Sequence, residues 1–234
     1  QGLWDKRIDF ITNTLDDAGV SYTKTVDADS VFISMPENIY YVGQPVRLNI
    51  GIKPLVRFEF FSTPADIVIN PKGSDEIFPE VVLSSGESFL LRAEAAVLGF
   101  GGDAQSLFED GIRQAMALWG VGPGAADTYI ANSDLAQLNG TQEENLEKIS
   151  LQRWIAAYTD GFEAFSIVRK RGYPASLAAG VTDPDIYGLG DINGAYPTRM
   201  QYGSSAYSKN GENVDKANAK QGPDKMDTKV WWDK

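Results

Sequence analysis

The stretch SSGESFLLRAEAAVLGFGGDAQSLFEDGIRQAMALWG, running from Ser84 to Gly120, decides the fold. Ser84 followed three residues later by Glu87 has the form of a capping box, in which a hydroxyl and a carboxylate each satisfy an amide left free at a helix start. Phe89, Leu90, Ala93 and Val97 then recur at helical spacing, and Gly99 suits a left-handed stop. After a turn through Gly101 and Gly102, Asp103 is placed to cap a second helix with the apolar stripe Phe108, Ile112, Ala115 and Trp119. Two amphipathic helices joined by so short a turn make an αα-hairpin.

The same device returns downstream. Thr141 and Glu144 form a second capping box, and Leu151, Trp154, Ile155 and Tyr158 fall at the i, i+3, i+4, i+7 positions of one buried face. Asp160–Gly161 makes the turn, Phe162, Phe165 and Val168 carry the next stripe, and Gly172–Tyr173–Pro174 stops it. Arg169, Lys170 and Arg171 occupy the final turn, where positive charge favours the exposed carbonyls. Each hairpin is about 34 residues long, the size of a tetratricopeptide unit. Trp119, Trp154, Phe108, Phe162 and Phe165 lie on these stripes and read as core. The fold class expected is therefore mainly α, with tetratricopeptide-like helical hairpins over residues 81–174, long irregular loops and a few short strands.

The flanks are less regular. Residues 1–80 read as loops with short extended segments: Val31–Ser34, Arg47–Ile52 and Val56–Phe61 suit strands, and Ile8–Leu15 suits a turn or two of helix. Residues 175–234 read as a loop-rich covering, with a polar stretch from Ser208 to Lys225. Val230–Trp231–Trp232 is expected to dock on the body, because exposed indoles keep a large apolar area in water. No linker interrupts the chain, and residues 1–234 are expected to form a single domain.

Composition narrows the chemistry. With 21 Lys and Arg against 32 Asp and Glu the net charge is −11, which argues against nucleic acid, since a phosphate binder needs a basic face. The chain has no histidine, the commonest general base and metal ligand, and no cysteine for thiol catalysis, disulfides or thiolate sites. No apolar run approaches the roughly 18–20 residues that cross a bilayer. The chain opens at Gln1 without an apolar signal core, so it is expected to be part of a longer protein, with any export signal or lipid anchor upstream.

Motifs for catalysis are not supplied. Glycines 99, 101 and 102, and 120, 122 and 124, follow helices and not strands, so they read as helix stops and not as phosphate loops. Gly203–Ser204–Ser205 lacks the closing glycine of a nucleophile elbow. Asp183, Asp185, Asp191 and Asn193 hint at calcium, but Tyr187 and Gly194 stand where the EF-hand pattern needs oxygen ligands, so they read as turn formers. No metal and no cofactor are expected. A glycosidase needs only two carboxylates at a set separation and is kept as an alternative, although no pair stands out.

Aromatics remain: five Trp, ten Tyr and eleven Phe. A sugar ring has an apolar C–H face that an aromatic ring covers, while neighbouring amides and arginines bond its hydroxyls. Binding residues concentrate on loops, which singles out Tyr40, Tyr41, Trp4 and Tyr187 as candidate ligand contacts, with Tyr196 and Tyr202 behind them.

The run FLLRAEAAVLGFGGDAQSLFEDGIRQAMALWGV (Phe89–Val121) resembles the helical segment of the SusD/RagB family. LEKISLQRWIAAYTDGFEAFSIVRKRGYP (Leu146–Pro174) is similar to it too, and DKMDTKVWWDK (Asp224–Lys234) resembles the end of one SusD-like subgroup. A fainter likeness covers Tyr41–Val68. The resemblance implies an outer-membrane lipoprotein, longer than this chain, built on tetratricopeptide-like helices. It also implies non-catalytic capture of oligosaccharides, in some members peptides, and delivery to a SusC-like TonB-dependent transporter. A tetratricopeptide-type scaffold for protein or peptide partners is the second reading.

Overall fold

The computed structural model describes residues 23–26, 31–34, 50, 62, 81–185 and 187–233. The chain divides into two compact units, one of Gln1–Pro79 with Thr182–Leu189 and one of Glu80–Val181 with Gly190–Lys234. In the first, β1 (Thr23–Val26) and β2 (Val31–Ser34) pair antiparallel, Thr23 opposite Ser34 and Val26 opposite Val31. β2 is the strand expected at that position. Ile8–Leu15 and Val56–Phe61 lie outside the described residues, as does Arg47–Ile52 apart from Ile50, which sits in an exposed turn.

The second unit is helical: α1 (Ser85–Val97), α2 (Ala104–Leu118), α3 (Pro123–Asn132), α4 (Gln142–Ala156), α5 (Gly161–Arg171), the single turn α6 (Ala175–Ala178) and α7 (Ser204–Gln221). Ser84, Asp103 and Thr141 cap the helices the sequence assigns them, and Asp160, read there as a turn residue, caps α5 as well. Ser84 Oγ accepts from Glu87 N–H at 3.0 Å. At Thr141 both halves of the capping box close, Thr141 N–H donating to Glu144 at 2.7 Å and Glu144 N–H to Thr141 Oγ1 at 3.3 Å. Asp160 Oδ1 accepts from the amides of Phe162 and Glu163, both at 3.0 Å, and Gly172 ends α5 at φ 73°. These bonds satisfy groups that a helix terminus otherwise leaves open.

α1 and α2 pack tightly because two glycines permit it. A Cβ on Gly86 would stand 2.8 Å from Ala115 N, and one on Gly111 2.7 Å from the Leu90 side chain. Leu90, Ala93, Phe108, Ile112, Ile130, Ala136 and Ile149 form the core that α4 and α3 close. Inside it Glu94, only 5% exposed, accepts from Arg153 Nη1 at 2.8 Å, Lys170 Nζ at 3.1 Å and Arg171 Nε at 3.2 Å, while Arg153 Nη2 reaches Glu163 at 2.9 Å.

Four expectations are corrected. α4 does not bury Leu151, Trp154, Ile155 and Tyr158 as one face; it buries Leu146, Ile149, Ser150, Gln152 and Arg153, and leaves Ile155 and Tyr158 exposed. The cause is the ion network: Arg153 and Gln152 enter the interior with partners, which a hydrophobic period does not register. Phe162, placed in the core, is 85% exposed, because α5 turns Ile167 and Val168 inward. Trp231 and Trp232 are 76% and 61% exposed, packed edge to face on each other at 5.2 Å. The polar stretch near the end is the 18-residue helix α7, whose one buried residue is Val214, so a surface helix with no stripe reads as loop. Its course breaks at Asn210, where φ is −151° and ψ 35°.

Candidate functional site

The helical unit carries a polar, aromatic surface and, apart from it, an apolar cleft. The first lies between the segment 198–202, the start of α7 and the segment 224–228. Thr198 and Arg199 donate their amides to Met226 O at 2.7 and 3.2 Å, which holds the two segments side by side. Asp224 is the hub. Its carboxylate accepts from Arg199 Nη2 at 2.8 Å, from Tyr202 N–H at 3.1 Å and from Tyr207 O–H at 2.7 Å. Arg199 also lays its guanidinium over the Tyr202 ring, 5.2 Å from the centroid. Gln221 Nε2 donates to the Tyr202 hydroxyl at 3.0 Å, and Gln201 Nε2 to Asp224 O at 2.9 Å.

The result is a platform whose parts are joined by their own hydrogen bonds. Tyr202 and Tyr207 are 37% and 42% exposed, and Met200 and Gln201 stand beside them in solvent. The hydrogen bond to Asp224, followed by desolvation, pushes the Tyr207 hydroxyl above its ordinary value, so it remains a proton donor. Exposed ring surface beside the side-chain amides of Gln201 and Gln221 suits a ligand with C–H faces and hydroxyls, while Arg199, buried and bonded to Met200 O and Asp224, braces the ring from within.

The second feature is a cleft of about 280 Å³ between α1, α2, α3 and α4, lined among others by Ile112, Met116, Trp119, Tyr129 and Ile155. Its polar side chains are spent on each other, Gln152 Nε2 donating to Tyr129 O–H at 2.7 Å. A polyhydroxylated molecule entering it would lose hydrogen bonds to water without replacing them.

Of the residues singled out in the sequence, Tyr40, Tyr41 and Trp4 lie outside the described residues. Tyr187 belongs to the first unit and is partly buried; its amide donates to Asp183 O at 2.9 Å, and burial, then the Asp183 charge, raises its hydroxyl. Tyr196 packs on Phe165, centroids 5.9 Å apart and nearly parallel. Tyr202 is the residue the structure places on the platform. Arg199, Tyr207 and Asp224 were missed, since a pair 25 residues apart leaves no local signal. Asp183 accepts from Asp185 N–H at 2.8 Å, the turn expected of that acidic group, and among the described residues no cluster is arranged for a metal.

Capped helices stacked as hairpins and bearing an aromatic platform define a tetratricopeptide-like helical scaffold protein. The chain belongs to the SusD-like family, described as starch-binding and associating with the outer membrane, whose model matches residues 30–203. A solved chitin-binding protein is 31% identical with a TM-score of 0.52, over 64% of this chain and 32% of its own. A SusD-like protein of Bacteroidetes is 28% identical with a TM-score of 0.55, over 66% of this chain and 30% of its own. A SusD homologue from Bacteroides thetaiotaomicron VPI-5482, 22% identical, shares the fold with a TM-score of 0.54 over 97% of this chain and 50% of its own. The chain thus spans about a third to a half of the length of these structures. No curated protein sequence matches it. Among the described residues no helix is long and apolar enough to cross a membrane.

Proposed function

We propose that the chain is part of a non-catalytic, lipid-anchored surface protein that captures oligosaccharides at the outer membrane and delivers them to a SusC-like TonB-dependent transporter. One observation carries the assignment of the sugar contact: the pre-set pair Tyr202 and Tyr207, half open to solvent and braced by Arg199, Gln201 and Asp224. The family description and the chitin-binding neighbour support the ligand class. Stacking of a sugar on tyrosine buries C–H surface, and the solvent-facing amide of Gln201 beside the rings replaces water on its hydroxyls. Each such exchange gains little, so the expected affinity is modest and grows with the number of sugar units that touch the platform.

Isothermal titration with chito- and malto-oligosaccharides tests the reading. Tyr202→Ala is expected to weaken binding about tenfold, equivalent to about 1.4 kcal/mol, with near-ultraviolet dichroism otherwise unchanged. Absence of heat with every oligosaccharide, alongside tight binding of peptides, would overturn the ligand class. Unchanged affinity in Tyr202→Ala would move the sugar site elsewhere. Recovery of a barrel transporter with the full-length protein checks the partner.

A further inference from the structure

Asn–Gly occurs three times in the chain, at Asn139–Gly140, Asn193–Gly194 and Asn210–Gly211. Glycine after asparagine leaves the peptide nitrogen open to the side-chain carbonyl, because no Cβ stands beside it. Whether the two groups meet depends on the backbone around them. At the first site Lys148 Nζ donates to Asn139 Oδ1 at 2.9 Å, but the Gly140 nitrogen is held, donating to Asn145 Oδ1 at 3.1 Å while Asn145 Nδ2 returns to Gly140 O at 3.1 Å. At the second, Gly194 is buried, its carbonyl accepts from Val181 N–H at 2.8 Å, and Asn193 stands at φ 52°. Both are clamped.

Asn210 differs. It stands exposed in α7 at φ −151° and ψ 35°, outside the helical range that keeps an asparagine's side chain and the following nitrogen apart. Open space surrounds Gly211, where a Cβ would meet no packed neighbour within 4 Å, so the peptide plane has room to turn. Asn213 Nδ2 donates to Asn210 Oδ1 at 2.6 Å, which draws electrons from Cγ. Val214 is the residue α7 buries, and Asn210 lies among the exposed Ser208, Lys209, Glu212 and Asn213. Its contact with water is therefore that of a polar helix.

We propose that Asn210 is a self-modification site, which converts without an enzyme to an aspartyl or isoaspartyl residue through a succinimide, with Asn213 assisting. The Gly211 nitrogen gives its proton to solvent hydroxide and attacks Asn210 Cγ. Oδ1 takes up the displaced electron pair and is stabilised there by Asn213 Nδ2. The pair then returns, the Cγ–Nδ2 bond breaks, and the nitrogen takes a proton from water and leaves as ammonia. Water opens the ring in either of two ways. Addition at Cγ restores the original main chain and leaves an aspartate. Addition at the Asn210 carbonyl carbon routes the main chain through Cγ as an isoaspartyl link. Either way a water is consumed, ammonia is released, and a negative charge is gained on the helix that carries Tyr207. The site is independent of the sugar contact.

The test incubates the 234-residue chain in warm, mildly alkaline buffer, native and in urea, and follows its tryptic peptides by mass spectrometry. Gln114–Lys148, Gly172–Arg199 and Asn210–Lys216 each hold one Asn–Gly pair, so the three sites are read separately in one sample. In the native chain Asn210 is expected to convert at least about tenfold faster than Asn139 or Asn193, and in urea all three should fall within about threefold of each other. The ammonia-loss mass of the succinimide should appear first, on the Asn210 peptide. Asn213→Ala, at an exposed position, is expected to slow Asn210 several-fold, and Gly211→Ala, whose methyl has room, to slow it further, both with far-ultraviolet dichroism unchanged. A native Asn210 rate no higher than that of Asn139 overturns the inference. So does the native ranking persisting in urea, since the preference would then owe nothing to the fold, and so does undiminished conversion in Asn213→Ala.

Discussion

Replacing Glu94 by glutamine keeps its shape and removes the charge on which three cations converge. Breaking a buried pair from one side costs about 3–5 kcal/mol when the remaining charge has no other partner. Here the loss is smaller, for two reasons visible in the geometry. Lys170 is more than half exposed, so water takes up its ammonium once Glu94 is neutral, and Arg153 retains Glu163 at 2.9 Å. About 2–3 kcal/mol is expected, which for a unit of this size lowers Tm by roughly 5–10 °C. Urea unfolding followed by tryptophan fluorescence measures it directly. The pH dependence has a definite sign. Burial raises the Glu94 carboxyl, but the hydrogen bond and charge of Lys170, followed by Arg153 and Arg171, outweigh it and hold it below its ordinary value near 4.5. Its stabilisation is therefore complete well above that value and is lost as pH falls through the depressed folded value. The wild type and Glu94→Gln should differ by a constant amount near neutrality and converge on acidification. A neutral-pH difference under about 1 kcal/mol, or one that grows in acid, would refute the account of the network.

Two further perturbations bear on the frame. Gly111→Ala forces a methyl to 2.7 Å from the Leu90 side chain, and a destabilisation of about 1–3 kcal/mol by urea titration is expected, with Gly120→Ala, whose cost is backbone strain alone, as a comparison. Asp160→Ala removes the one carboxylate oxygen that accepts from two amides at the start of α5 and should cost about 1 kcal/mol, while Asp160→Asn should cost much less.

The hairpins were legible because their punctuation is local. Ser84, Asp103 and Thr141 all cap as their positions imply, and Phe108 and Ile112 are buried as their spacing implies. α3 was not visible, since its opening residues Gly122 and Pro123 closely follow the end of α2 and read as part of that helix's stop. The burial of α4 escaped because it is decided by Glu94, 59 residues before Arg153, and no window along the chain joins them. The platform escaped for a related reason. Tyr202 was named as a loop aromatic, but its value comes from Arg199 and Asp224, which are ordinary charges until the fold sets them together.

The break at Asn210 has a consequence for how that platform would respond to occupancy. The turns bearing Tyr207 precede it, and Val214, the anchor of α7, follows it. The helix is thus an elbow of two short arms whose hydrogen-bond ladders do not run through the joint. The leading arm can loosen and re-seat its tyrosine at the cost of a turn or so of bonds, while the trailing arm stays put. Hydrogen exchange at Ser208 and Lys209 should accordingly run ahead of that at Asp215 and Lys216, and slow when sugar is bound.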